Sequence, residues 1–230
     1  MGHWLLAAIL LAAPRVEKSV EQGDRVLRHV EEQLGKVRDY TAVIEIELNL
    51  DRLKVPPVKV TMYFKRPDKV HFDSDRFVLL PKEGMGLDFV SLRSRYRTTS
   101  ASTDTIQGEL FWKLTLKPIA DKTGLREVFL FVNPRRWTAD RLVSPLFDGR
   151  TMTAQFSYGL IDSVWLPSML HVAFESSTSD STADIFPEQS PLHRPQLPRS
   201  GTVIIRYSSY QLNTGLRDEL FENTPSSVKP

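Results

Sequence analysis

Little in this chain is arranged for covalent chemistry. Its five histidines, His3, His29, His71, His171 and His193, are far apart in sequence. His71 and His171 fall on the polar side of alternating segments, where an imidazole is ordinarily solvated rather than a base or a ligand. Asp73-Ser74-Asp75 has the composition of a metal-binding acid pair, but it stands at the end of a predicted strand, where acids and serine stabilise turns by local hydrogen bonds. Cysteine is absent, which removes thiolate metal sites, cysteine nucleophiles, disulfides and a lipid-anchored N-terminal cysteine together. No serine elbow, paired zinc-binding histidines, phosphate-cradling glycine loop or dinucleotide fingerprint occurs. The expectation is therefore a protein that is not an enzyme, with no catalytic residue, no metal and no cofactor.

The one charged side chain singled out by its setting is Arg66. Met62 to Ser74 reads MYFKRPDKVHFDS. Met62 and Phe64 share one face and Tyr63 and Lys65 the other, as in a half-buried strand. Pro67 cannot donate to a sheet ladder, so Arg66-Pro67-Asp68 marks a corner, after which Val70 and Phe72 resume the alternation. An arginine is thereby held at the rim of an apolar wall.

Formal net charge is +2, with bases scattered among acids, and without a concentrated basic stripe nucleic acid is not an expected partner. Arg93, Arg95 and Arg97 form a small basic cluster. It reads as a solvated strand edge or loop, the alternative being contact with anionic headgroups or an acidic partner.

The elements that would position this wall follow in chain order. Trp4 to Ala13 is an apolar run too short to span a bilayer and suited to a secretory signal, so residues 1–15 are expected to be removed on export and 16–230 to form one domain. Val16 to Val37 carries Val20, Val26, Leu27, Val30, Leu34 and Val37 at helical spacing, an amphipathic helix with a narrow apolar face. Ile44, Ile46, Leu48 and Leu50, then Val58, Val60, Met62 and Phe64, predict two strands with the Pro56-Pro57 connection between them.

Phe77 to Lys117 has no clean period and suits a mobile lid as well as a strand. Within it Ser100 to Thr105 reads as a polar loop and Leu110 to Leu116 as a short helix or a strand. Glu127 to Val132 is strand, Arg136 to Leu146 a short helix or loop. Thr151 to Tyr158 and Leu170 to Phe174 are strands joined through a hairpin at Gly159 to Asp162, with Trp165-Leu166-Pro167 opening the second. Residues 176–201, rich in Ser, Thr and Pro, read as a long loop inserted before a last strand, Val203 to Leu212. Many strands with one apolar face and one long helix suggest a curved sheet around a greasy interior; periodicity leaves open whether that interior is a filled core or a cavity.

Four segments together carry a resemblance. They are the tyrosine-containing first strand Tyr40 to Leu50, Tyr63-Phe64-Lys65-Arg66-Pro67, Val164-Trp165-Leu166-Pro167, and Tyr210-Gln211-Leu212-Asn213-Thr214-Gly215-Leu216 running to Phe221. In this order the chain resembles the periplasmic outer-membrane lipoprotein carriers of LolA type. The resemblance implies a mainly β (α+β) fold, an incomplete, strongly curved antiparallel β-barrel covered by helices around a hydrophobic cavity. It implies a monomeric periplasmic carrier of lipoprotein acyl chains or another lipid. Its expected partners are an inner-membrane releasing complex and an outer-membrane acceptor. Ile44, Ile46, Val60, Met62, Phe64, Val70, Phe72, Leu130, Phe156 and Ile205 would line the wall, and Arg66 would latch the lid. The alternative is a non-enzymatic envelope β module with a filled core that binds other proteins.

Overall fold

The computed structural model describes residues 13–50, 53–73, 92–93, 95–120, 126–146, 149–175 and 200–222. The helix α1 (Ala13–Gly35) comes first and is followed by a run of antiparallel strands. These are β1 (Asp39–Leu50), β2 (Leu53–Lys65), β3 (Lys69–Asp73), β4 (Tyr96–Ile106), β5 (Glu109–Pro118), β6 (Val128–Asn133), β7 (Thr138–Pro145), β8 (Thr151–Ile161), β9 (Val164–Glu175) and β10 (Gly201–Leu212). A short helix, α2 (Glu219–Glu222), ends the described chain. The strands make one 10-stranded sheet in the order β3-β2-β1-β10-β9-β8-β7-β6-β5-β4, left open between β3 and β4. The fold is mainly β, as the alternation predicts, and the sheet does not close. The apolar run before Ala13 and most of residues 176–201 lie outside the described residues.

Five of the nine strand pairings contain a register shift, and each bulge adds local twist that lets a long sheet curl. Two of the shifts correct sequence expectations. Pro56 and Pro57 do not end the connection after β1; they lie inside β2, where Ile46 pairs with Val58 and Leu48 with Val55. Both prolines thus oppose the single residue Glu47, and a bulge is a place where a missing N–H does no harm. Arg136 to Leu146 is mostly strand β7 rather than helix or loop. Its alternation is hidden because Phe131 pairs with Arg141 but Val132 with Ala139, which leaves Asp140 as an extra residue.

Ser100 to Thr105, expected as a polar loop, is the middle of β4, and Leu110 to Leu116 resolves as strand β5. The Ser/Thr-rich sequence reflects an edge position, with a strand on one side only. The expected lid segment is in part these two strands; residues 74–91 lie outside the described residues. The β8–β9 hairpin turns at Asp162 and Ser163, both with positive φ (47° and 66°), so of the expected Gly159 to Asp162 connection only Asp162 is in the turn. This backbone matches the twist of a two-residue hairpin. Gly159 sits within the pairing, opposite Leu166.

The helix docks where β4 and β5 reach the sheet edge. Ser19 Oγ donates to the Ala101 carbonyl and accepts from the Ala101 N–H, both at 2.8 Å, so the helix satisfies part of an open strand edge. Val26, Leu27 and Val30 pack with Leu114, Leu116, Val128, Leu130, Val132 and Ala139. Gly23 permits the approach: a Cβ there would collide with Thr98 Cγ2. Of the basic cluster, Arg93 pairs with Glu31 on α1 at 2.9 Å.

Replacing Gly23 by Ala tests this docking. The gain in helix propensity, about 1 kcal/mol, opposes an overpacking cost of about 1–3 kcal/mol, so a net loss of about 1 kcal/mol is expected in denaturant unfolding. Thr98→Ser removes the colliding methyl and should restore most of that loss in the double variant; no restoration would mean the helix approaches elsewhere.

Candidate functional site

Cross-strand registers align the apolar face into rungs. The widest runs Leu48, Val203, Val172, Ala154, Leu142, Leu130, Leu114 and Ala101 across eight strands. The next holds Val58, Ile46, Ile205, Leu170 and Phe156, and the third Val60, Ile44 and Tyr207. A fourth has Phe72, Met62 and Ala42, and the last Val70, Phe64, Tyr40 and Leu212. All ten residues expected in the wall share this face. Nine pack in one cluster, formed by β1, β2, β3, β8, β9 and β10. Leu130 does not join them; it belongs to the second cluster, under α1. Leu34 at the end of α1 and Leu142 on β7 pack against both clusters and join them.

Burial along the rungs is uneven. Ile44 and Met62 have no exposure, and Ile46, Val60, Phe64 and Ile205 are also buried. In contrast Leu48, Val58, Leu142, Phe156, Val172 and Val203 are only partly buried. Along β1 and β2 the apolar face is therefore sealed toward the start of β1 and half open toward its end, while Val70, Phe72, Tyr210 and Leu212, which flank that start, are also only partly buried. An apolar strip that still meets water can take an apolar ligand.

The sealed end is aromatic, which the sequence reading missed. Tyr40 stacks on Phe64 with ring centroids 5.0 Å apart and meets Tyr210 edge-on at 5.5 Å; Tyr210 lies over Tyr207 at 6.4 Å. The hydroxyls are held. Tyr210 donates to the Pro167 carbonyl and Tyr158 to the Ala139 carbonyl, each at 2.8 Å, while the Tyr40 hydroxyl faces the Met62 sulfur at 4.0 Å. Burial raises the pKa of all four phenols above the ordinary range, since a phenolate there would lose its water.

Beside this end lies the Asn213-Thr214-Gly215 segment of the fourth resemblance motif. The buried Asp39 carboxylate accepts from the Gly215 N–H at 3.2 Å and from Thr214 Oγ1 at 3.3 Å, and Asn213 Oδ1 accepts from the Arg38 N–H at 2.7 Å. Asn213 and Gly215 both have positive φ, which is why these residue types stand there. Lys65 Nζ adds an ion pair with Asp218 at 2.7 Å and a bond to the Leu216 carbonyl. The hydrogen bond from Lys65, then that from Lys69, holds the Asp218 carboxyl below its usual pKa.

Arg66 sits at the same end. Its N–H donates to the Arg38 carbonyl at 2.9 Å, and its Nη1 lies 3.4 Å from where a Cβ on Gly35 would stand. A guanidinium is thus placed at the C-terminus of α1, where the helix dipole favours a cation. No group of three or more His, Asp or Glu capable of holding a metal occurs among the described residues. His71 pairs with Tyr63 in the ladder, their rings 5.8 Å apart.

The raised phenol pKa values predict alkaline instability. Each group's folded pKa exceeds its unfolded value of about 10, so its contribution is intact below that pH and is lost as pH climbs through and beyond it, by at most about 1.4 kcal/mol per pH unit per phenol. Tyrosinate absorbance followed together with circular dichroism should show Tyr40, Tyr158, Tyr207 and Tyr210 ionising only as the sheet unfolds. Ionisation of all six tyrosines in the folded protein would contradict the packing.

No protein-family profile matches the chain, and no curated protein does. Solved structures do. A DUF1329 family protein from Desulfovibrio piger superposes with a TM-score of 0.64 at 16% identity, over 89% of this chain and 98% of that one. A domain named for outer membrane lipoprotein sorting from Vibrio parahaemolyticus gives 0.60 at 10% identity, over 90% and 97%. A LolA superfamily protein from Nitrosomonas europaea gives 0.54 at 13%, over 88% and 97%. At such identities the likeness is one of architecture, spread over nearly the full length of each partner, and the fold of this chain is LolA-like.

Proposed function

We propose that the protein is a non-enzymatic carrier in the cell envelope that holds acyl chains, of lipoproteins or of another lipid, against the apolar face of its sheet. The observation that carries this reading is the half-open strip of Leu48, Val58, Phe156, Val172 and Val203, continuous with a sealed aromatic end. Affinity comes from removing methylenes from water, about 0.8 kcal/mol each, and needs no polar recognition along the chain. The fold shared with a domain named for outer membrane lipoprotein sorting supports the same class of cargo. Export by the N-terminal segment would place the carrier in the periplasm, between an inner-membrane releasing complex and an outer-membrane acceptor. No helix among the described residues is long and apolar enough to cross a membrane.

In this reading Arg66 is the latch, acting on the end of α1. The helix covers one part of the apolar face, and a guanidinium at its last turn holds it down through the helix dipole. The complete burial of Ile44, Met62 and Leu130 favours a second reading, an envelope β module whose core is full and whose partners are proteins. Protein purified from an export-competent host under native conditions separates the two. Native mass spectrometry should find bound lipid, and a fluorescent fatty acid should bind and be displaced by lipid; absence of both leaves the filled module.

Two variants follow. Val203→Asp puts a carboxylate on the half-open strip and should weaken fatty-acid binding at least tenfold while the sheet persists by circular dichroism. Arg66→Leu should change stability by no more than about 1 kcal/mol and raise the rate of lipid release severalfold; an unaltered release rate would reduce Arg66 to a corner residue.

A further inference from the structure

Strand β6 carries large apolar side chains on both faces. Leu130 and Val132 pack under α1, while Phe129 and Phe131 point to the opposite face of the sheet, since side chains alternate along a strand. Phe131 is 7% exposed yet belongs to neither apolar cluster. Part of its cover comes from two cations. In the ladder it pairs with Lys113 on β5 and Arg141 on β7. Lys113 Nζ stands 5.7 Å from the Phe131 ring centre and 5.5 Å from that of Phe129, and the Arg141 guanidinium 5.9 Å from Phe131. The rings thus hold both positive charges in place by cation–π attraction. Nearby acids do not neutralise them. Asp104 lies 3.8 Å from Lys113, beyond hydrogen-bond distance, while Asp140 is held by Arg136 at 2.7 Å and Glu127 by Lys117 at 3.3 Å. Among the described residues Arg141 has no ion pair, and its buried Nε has no acceptor.

We propose that Lys113 and Arg141 form a docking site on this outer face for a protein partner that presents carboxylate side chains beside apolar ones. The argument is charge complementarity. An arginine takes a carboxylate through two parallel N–H donors, and the half-buried Phe129 and Val143, paired with each other one rung away, offer apolar area beside the charges. The two cations are two strand spacings apart, about 9.6 Å. A partner need only reach their outer ends: the Lys113 side chain is 37% exposed, and no interior space is used. An anionic bilayer fits less well, because its attraction grows about fivefold per basic residue and membrane sites gather about four to eight of them. The site lies across the sheet from the half-open apolar strip, so it goes beyond the carrier reading and does not depend on it. A carrier could keep its cargo while docked.

The test follows a fluorescein-labelled peptide of alternating glutamate and leucine by fluorescence anisotropy, with a lysine and leucine peptide as control. Full-length parent and variants are compared, with thermal melting to confirm folding. The parent should bind the glutamate peptide about tenfold more tightly than the control, and less tightly as salt rises. Arg141→Gln should lose about tenfold. Arg141→Lys should recover only part of that loss, since it keeps the charge without the planar fork, and Lys113→Gln should lose about threefold. A parent that binds the glutamate peptide but no fatty acid leaves this site standing while the carrier reading fails. Equal binding of the two peptides, or unchanged binding in Lys113→Gln together with whichever Arg141 variant folds, overturns the proposal. It is also overturned if phosphatidylglycerol vesicles bind the parent and not these variants, which makes the site a membrane contact, or if sedimentation finds a parent dimer that they dissolve, which makes it a contact between copies of this chain.

Discussion

Among the described residues one long helix serves an apolar face ten strands wide, and much of this architecture follows from that mismatch. Nine inter-strand spacings of about 4.8 Å make a sheet roughly 43 Å across. The helix, 23 residues long, is about 34 Å by about 10 Å, so it can cover one strip. It covers β4 to β7. Among the described residues the apolar side chains of the remaining strands pack mostly against one another, which a curled sheet allows. Register shifts in five of the nine pairings supply the extra twist, and the opening between β3 and β4 lets the curl stop short of closure. Two clusters joined through Leu34 and Leu142 are what such a division leaves. The junction is thin, and a junction of two half-buried leucines is where packing is weakest.

A polar network ties three chain segments together at one end of this arrangement. The α1–β1 joint, the β2–β3 corner and the segment after β10 meet there through Asp39, Asn213, Lys65 and Asp218. Bonds to a buried carboxylate are worth more than neutral ones, about 1.5–3 kcal/mol each, whereas the solvent-exposed Lys65 and Lys69 pairs with Asp218 are screened. The rigid element is therefore the Asp39 knot, with the lysines as its rim. Beyond it the opposite face of β1 and β10 is an ordinary wet surface, where Arg206 pairs with Glu47 at 3.1 Å and Glu45 at 3.7 Å.

How much of this the sequence disclosed depends on whether a segment has one wet and one dry face. β1, β2, β8, β9 and β10 do, and their alternation reads directly, as does the stripe of α1; β6, buried at five of its six residues, reads instead as a run of β formers. β4 does not, because it is an edge strand of Ser and Thr, and β7 does not, because Asp140 interrupts its period at a bulge. For the candidate site the same rule holds. Alternation selected ten residues that share the apolar face, yet it separated Tyr207 from Tyr210 and could not bring Tyr40 to them. The missing signal is a positive φ at Ser209, and serine carries no sequence mark for that conformation as glycine would. Nor can periodicity tell that Leu130 lies under the helix, since which rung a helix covers depends on its docking. Gly23, an isolated glycine within the helical stripe, was the available clue to that docking: a bare position on a packed helix face marks a close approach.

The distribution of burial bears on what the fold is for. A core selected only to be full has no reason to leave Leu48, Val172 and Val203 in contact with water while Ile44 and Met62, two rungs or more away on the same strands and sheet, are completely dry. Exposed apolar area costs about 25 cal/mol for each square ångström not buried, and small changes of residue type would lower that cost: a threonine is at home on a half-wet strand. Valines and leucines retained there, in register with a dry interior and ending at rings whose hydroxyls are tied to the backbone, form a graded surface. Its wet end can exchange water for methylenes at a net gain, and its dry end cannot yield without losing hydrogen bonds. That asymmetry, more than the likeness of fold at 10–16% identity, is the physical argument for a carrier over a filled module.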